Sequence, residues 1–409
     1  MKRLDAHPEL EEYPDWSRMP RVLQTRFFEL AEVEAQRLIQ ASIKDIDIVK
    51  KLRNILKIRR LDEYEGWEDL LVACVDGSDT PVYNERTGLR YALFASAYKF
   101  FKGLDGLEEE FISDYYSDRQ IVSQDKFSKI VELLMTYYER LMARRVLEKR
   151  SPDIVLLDGS FFGYRTRCSE ILDEDIDWTP SGELAKFNTG KELVEEVTRL
   201  TVELIRSGKT LGIIKRVNTA SIDGWIAYKD PTSKPIRLND RALLNTIMET
   251  CTIFSYDEAF NVNFNILNWY RNVSKELKSK DPETILKEAE RRFGVQVEAD
   301  LGSRSYLQYI MDMRRCYIKT MNDYPPVCVE FWKGSDPEWV KKALWYVYAS
   351  RDPATGLPFP LDIVDSLVSL PRGVAREFAE EVEARLLRAG VEQNVLLTLF
   401  SRFNPQKEE

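Results

Sequence analysis

Two aspartates, Asp76 and Asp158, share a local setting: each ends an apolar run and opens an Asp-Gly-Ser triplet, in VACVDGS and IVLLDGS. Asp-Gly after hydrophobic residues is a hairpin-turn signal in its own right. The runs LLVACV and DIVLL are, however, apolar almost throughout instead of alternating, the pattern of strands buried on both faces of a sheet. Such strands deliver functional side chains at their carboxyl ends. Aspartates gathered there suit phosphodiester hydrolysis by two divalent ions about 3.5–4 Å apart, one activating water and the other stabilising the leaving oxygen. Oxygen donors favour manganese or magnesium. Gly77 and Gly159 would let a phosphate approach the backbone closely.

The rest of the composition narrows the chemistry further. The chain has 409 residues, 44% hydrophobic and 31% charged, as expected of a globular protein. Its one histidine, His7, lies near the amino terminus, so Ser-His-Asp, Cys-His and H-E-x-x-H chemistries are disfavoured. The five cysteines, Cys74, Cys168, Cys251, Cys316 and Cys328, are widely spaced without a C-x-x-C pair, which argues for reduced thiols and against a structural zinc site. The amino-terminal residues lack a signal-peptide pattern and no apolar run is long enough to span a membrane, so an intracellular protein is expected. A net charge of −9 gives no blanket attraction to nucleic acid, yet a local basic groove is invisible in that total.

The elements that must position the aspartates follow in an informative order. A helical pattern over about 22–60, with apolar residues such as Leu23, Phe27, Leu38, Ile46 and Leu52, ends in the basic stretch VKKLRNILKIRR. The Asp76 strand comes next, then a turn around Gly88 and the strand YALFASAYKF. Residues 107–117 are ambiguous between strand and loop. An amphipathic helix is predicted over about 124–149, stopped at Ser151-Pro152, and the Asp158 strand follows. This is the order of a ribonuclease H-like α/β fold, whose mixed sheet places the two aspartate strands side by side. The intervening helix offers Glu139 or Glu132, seven residues apart on one face. Farther on, residues 181–208 read as helix and TLGIIKRV as a strand ending at Lys215 and Arg216. SGKT at Ser207 is not a phosphate-binding loop, because Glu203 stands where its first glycine belongs. Residues 238–295 read as a helical insertion, VCVEFW around Glu330 as a strand, and 337–349 and 374–409 as helices. One elaborated domain is favoured over 1–409: a helical region 1–65, a core 66–370 and carboxyl-terminal helices 371–409.

In this order, VACVDGS, the Glu139 helix, IVLLDGSFF, LGIIKRVNTASI, LNDRALL and GLPFPLDIVDSL together resemble the NurA nucleases over roughly residues 70–370. The resemblance implies a manganese- or magnesium-dependent nuclease, holding two ions, that cuts single-stranded DNA and resects duplex ends 5′ to 3′ in double-strand break repair. It further implies a cytoplasmic, nucleoid-associated homodimer docked on a HerA-type hexameric ATPase, with no membrane partner. Carried over by position, Asp76, Glu139 and Asp158 become metal ligands, and Lys215 a group facing a phosphate or developing negative charge. Two positions depart from the family. Leu357 stands where a tyrosine is usual, and Asp365 where a histidine is usual. Asp365 is read as a replacement metal ligand; Asp362, one turn earlier, either assists it or serves the helix dipole. Arg165, Arg167, Lys215 and Arg216 are candidates for DNA-phosphate contacts. Two rival readings stay open: an assembly subunit that has lost chemistry, for which Leu357 and Asp365 speak, and an RNA-directed nuclease of the same fold.

Overall fold

The computed structural model describes residues 19–401 apart from 54, 182–184, 237 and 279, and within the first helix not the side chains of 40–51. His7, the Ile46 side chain and the amino-terminal segment therefore lie outside the described residues. The chain divides into two compact units, Met1–Ile55 and Leu56–Glu409. In the first, Arg21–Arg53 forms one helix carrying exposed ion pairs Arg26–Glu29 and Arg37–Glu34. The helix ends there and does not run on to Arg60. Ile58–Arg60 is a strand instead, because its backbone completes a sheet edge and Arg59 pairs with Glu258 at 3.0 Å, bonds that the local helical pattern does not foretell.

The strands are, in chain order, β1 (Ile58–Arg60), β2 (Leu71–Asp79), β3 (Asn84–Glu85), β4 (Arg90–Lys102), β5 (Asp105–Asp118), β6 (Ile154–Asp158), β7 (Asp175–Trp178), β8 (Phe187–Thr189), β9 (Thr210–Ile214), β10 (Thr252–Ser255), β11 (Met313–Lys319) and β12 (Val327–Trp332). β7 and β8 pair with each other, and the rest form one sheet in the order β1-β10-β11-β12-β9-β6-β2-β4-β3, with β5 on β4. β2, β6 and β9 are parallel neighbours, while β2, β4 and β5 form an antiparallel meander. That is the ribonuclease H-like arrangement expected from the element order. Residues 107–117 resolve as strand within β5. The sheet also runs farther than expected, through β10 and β11, where a helical insertion or no strand was predicted.

Register places the aspartates. Val75 lies opposite Leu157, so Asp76 and Asp158 follow side by side where the β2–β6 pairing ends, Asp158 closing β6 while β2 runs on to Asp79 along β4. Lys215 comes directly after β9, whose Ile213 lies opposite Asp158. Side chains alternate along a strand. Val72, Cys74, Ile154, Leu156, Leu211 and Ile213 therefore share the face covered by helices Pro337–Ala349 and Phe359–Val368. Ala73, Val75, Val155 and Leu157 share the other face with helices Gln124–Arg150 and Gly190–Arg206.

Gln124–Arg150 begins where the Ser123 side chain accepts from the Lys126 amide, and it ends at Ser151, whose φ of 43° turns the chain before Pro152. Its Ile130, Leu134, Met142 and Val146 are fully buried, each worth roughly 1.5–3 kcal/mol. This helix carries Glu139. The next helix starts at Gly190 instead of near 181, because Thr189 caps it by accepting from the Glu192 amide at 3.3 Å and Phe187–Thr189 is held in the β7–β8 pair.

The seam beneath the site has room only for glycine. A Cβ on Gly212 would lie 2.6 Å from the Gly159 carbonyl oxygen and 3.5 Å from the Phe161 ring. Gly212→Ala is accordingly expected to destabilise the protein by about 1–3 kcal/mol, read as a lower urea midpoint at unchanged slope. An unaltered midpoint would show that the seam is not tight.

Candidate active site

Asp76, Asp158 and Asp365 converge: carboxylate oxygens from the three lie within 4.8 Å of one another. Asp76 is buried, with its Oδ1 accepting from the Gly77 amide at 2.7 Å, and the Ser96 hydroxyl donates to its carbonyl at 2.8 Å. Asp158 closes β6, where Gly159 at φ 100° turns the chain and donates its amide to the Ile213 carbonyl at 2.7 Å. Asp365 reaches in from Phe359–Val368 and is the most open of the three, its side chain 57% exposed.

Lys215 Nζ bridges this cluster, 2.7 Å from Asp158 Oδ2 and 3.0 Å from Asp365 Oδ1. Burial acts against its charge, but the two carboxylates outweigh burial and raise its pKa. Arg241 fixes the lysine's backbone by donating to the Lys215 carbonyl, and to that of Pro326 at 3.0 Å. The LNDRALL segment thus has a local role, which Asp240 shares: its carboxylate accepts from the Ser221 and Ile222 amides at 2.8 and 3.1 Å, opening the helix Ser221–Lys229.

Glu139 is buried beside the triplet but outside it. Its Oε1 accepts from Arg140 at 3.1 Å, and Arg140 also donates to the Ser160 carbonyl at 3.3 Å. Burial pushes Glu139 up to about 7, with Arg140 opposing and Asp158 adding. Asp76 is raised well above the usual carboxylate range by burial, then by Asp158 and Glu139; Asp158 is raised by burial against the pull of Lys215. Crowded acids with raised pKa values are a cluster short of positive charge. An all-oxygen donor set of this kind fits a hard divalent ion.

Glu139, Asp158, Lys215 and Asp365 border a groove of about 640 Å³ that continues along the Gln124–Arg150 helix. Arg140, Arg167, Lys215, Arg216 and Lys129 line it. Arg165, one of the candidate phosphate contacts, does not. It pairs with buried Asp300 and lies 5.3 Å from the Phe293 ring, a structural role set by the residues after Asp158 winding into a short helix. Glu132 lines the groove and pairs with Arg167. Asp362 sits in the first turn of its helix and accepts from Thr355; burial raises its pKa, and Lys215 and Asp365 act on it electrostatically. Leu357 packs at the margin of the core beneath Phe359–Val368. Sequence reasoning missed Arg140 and Glu330. Arg140 was hidden among the many charges of an amphipathic helix. Glu330, buried on β12, accepts from the Ser160 hydroxyl and the Phe161 amide, and the signal that could have found it was a lone charge inside an apolar strand.

The NurA domain family model matches residues 70–370. Among solved structures, the chain is similar to the NurA nuclease from Sulfolobus solfataricus, at 15% identity over 92% of this chain and 99% of that one, with a TM-score of 0.55. It is also similar to a crystal structure of NurA with manganese, at 12% identity over 90% of this chain and 100% of that one, with a TM-score of 0.47. No curated protein matches the sequence.

The raised carboxylates set a pH dependence. A folded-state pKa above the unfolded value means that the native protein holds protons the unfolded chain has released. These groups therefore contribute stability that is complete below the unfolded values of 3.8 for Asp and 4.5 for Glu, and that is lost as pH rises through the raised values, about 7 for Glu139. In metal-free protein, Asp76→Asn is expected to melt higher than wild type at about pH 8, with the gap closing toward about pH 4. Thermal melts in chelator across that range test it, and a variant less stable at every pH would contradict the crowding.

Proposed function

The chain belongs to the NurA family, and from that premise we propose that it is a divalent-metal-dependent nuclease acting on DNA single strands and duplex ends. The observation that carries this reading is the convergence of Asp76, Asp158 and Asp365 from two adjacent strands and a helix, with Lys215 between Asp158 and Asp365. In the proposal these three aspartates, with Glu139 close by, hold manganese or magnesium ions, two in number. Bound ions would supply the charge that activates water and stabilises the leaving oxygen.

The chain's own groups perform the rest. Lys215 Nζ faces the scissile phosphate once the aspartates are neutralised, opposing the charge that develops there. Glu139, with a pKa near neutrality, holds or releases a proton at its carboxyl. Arg167 and Arg216 along the groove bind phosphates without reading sequence. The retained acids favour a nuclease over an inert assembly subunit, since converging carboxylates destabilise a fold that has no use for them.

The finer parts of the proposal rest on the family resemblance: 5′ to 3′ end resection in double-strand break repair, a homodimer, an intracellular, nucleoid-associated setting and partnership with a HerA-type hexameric ATPase. Among the described residues, no helix is long and apolar enough to cross a membrane.

Purified protein with manganese is expected to degrade single-stranded DNA, and Asp76→Asn or Asp158→Asn to slow this roughly a thousandfold while circular dichroism stays unchanged. Full activity in both variants would overturn the site. RNA cleaved in preference to DNA would shift the substrate class. Co-elution with a HerA-type ATPase tests the partnership, and its failure with both proteins folded would remove it.

A further inference from the structure

We propose that Glu330 is a positioning residue for Asp158, acting through the turn that follows it; the inference rests on the nuclease reading above. Glu330 lies on β12 opposite Gly212 of β9, which in turn lies opposite Leu157 of β6. By strand alternation, its side chain points to the opposite face from that of Asp158. Beyond Asp158 the chain bends at Gly159 and crosses to that face, laying Phe161 against Gly212. There Glu330 Oε2 accepts from Ser160 Oγ at 2.7 Å and from the Phe161 amide at 2.9 Å.

The other oxygen is equally committed. Glu330 Oε1 accepts from Arg315 Nη2 at 2.8 Å, and the Arg315 guanidinium lies 4.6 Å from the centroid of the Phe264 ring. Glu330 is 3% exposed, so it stands in a medium where an unpaired charge is strongly disfavoured. A buried carboxylate inside an apolar strand needs a reason, and sheet stability does not supply one, because an apolar residue would serve β12 as well or better. What the pair does provide is two charge-assisted hydrogen bonds to consecutive residues of the ligand turn. With the Gly159 amide on Ile213 and Arg140 on the Ser160 carbonyl, the turn is held at four points. The Asp158 carboxylate is thereby kept in register with Asp76 and Asp365. Partners that orient a metal ligand in this way typically change metal affinity or activity by about 10- to 100-fold when removed.

The test is manganese binding, followed by the paramagnetic resonance signal of the free ion, with single-turnover cleavage of a DNA oligonucleotide measured alongside. Glu330→Gln, and Ser160→Ala as the milder variant less prone to misfolding, are expected to bind manganese about 10- to 100-fold more weakly. Cleavage should fall and be partly restored by excess manganese, while the KM for oligonucleotide stays unchanged. A purely structural role would lower the melting temperature without moving the manganese affinity of the folded fraction. Wild-type affinity in both folded variants overturns the positioning role and leaves the nuclease reading standing. Failure of the wild-type protein to bind manganese or magnesium overturns both.

Discussion

Like charges forced together at the ends of parallel strands are the constraint around which this fold is arranged. The β2–β6 register makes Asp76 and Asp158 neighbours whether or not that is electrostatically comfortable, and Asp365 is brought to the same place from the helix that covers their face of the sheet. Left alone, such a cluster would protonate or push apart. Lys215 is the counterweight that the architecture itself supplies, since β9 is the third parallel strand and ends at the same level. The lysine's position is a consequence of topology as much as of its own chemistry.

Around that cluster the protein places buried ion pairs in preference to apolar contacts. Glu139–Arg140 stands on the helix side and Glu330–Arg315 on the sheet side, and each reaches the turn after Asp158 by a further hydrogen bond. Buried pairs are poor sources of net stability, because desolvation offsets most of their attraction. Their directional bonds nevertheless fix backbone position better than side-chain packing, which tolerates volume-conserving exchange. Rigidity at the turn and charge at the strand ends are two sides of one arrangement. The turn can be held firmly because Gly159 adopts its φ of 100° without strain and Gly212 leaves room for the Gly159 carbonyl.

Much of this was legible in the residues. Unbroken apolar runs ending in Asp-Gly-Ser carry a local signal for buried strands, and a long helix between them suffices to imply parallel pairing. That is why the aspartate juxtaposition and Glu139's approach could be read in advance. Strands β1 and β10 could not be, because segments as short as IRR and TIFS carry little periodicity and owe their conformation to neighbours far away in the chain. Arg165 was misjudged for a similar reason: closeness to a strand end in sequence does not fix direction, and the turn after Gly159 sends its side chain toward Asp300. LNDRALL was legible as a motif but not as a device. Only the fold shows Arg241 reaching the Lys215 carbonyl and Asp240 capping a neighbouring helix.

The position of Asp365 separates two readings that the sequence left together. An acid at the start of a helix is explained by the macrodipole, and Asp362, in the first turn, is accounted for in that way. Asp365 lies in the last turn of the same ten-residue helix, where the unpaired carbonyls make a carboxylate unfavourable. Its presence there calls for a compensating partner, and the partners it faces are Lys215 at 3.0 Å and the space shared with Asp76 and Asp158. An imidazole at this place would be mostly neutral near pH 7 and would leave the lysine paired to Asp158 alone. With aspartate the lysine is held between two anions, and the three converging side chains offer only oxygen atoms. On the proposed metal-binding reading, an aspartate where the family resemblance implies a histidine therefore does not empty the site. It makes the cluster more acidic and more dependent on cations, whether the chain's own Lys215 or ions from solution, to hold its carboxylates together.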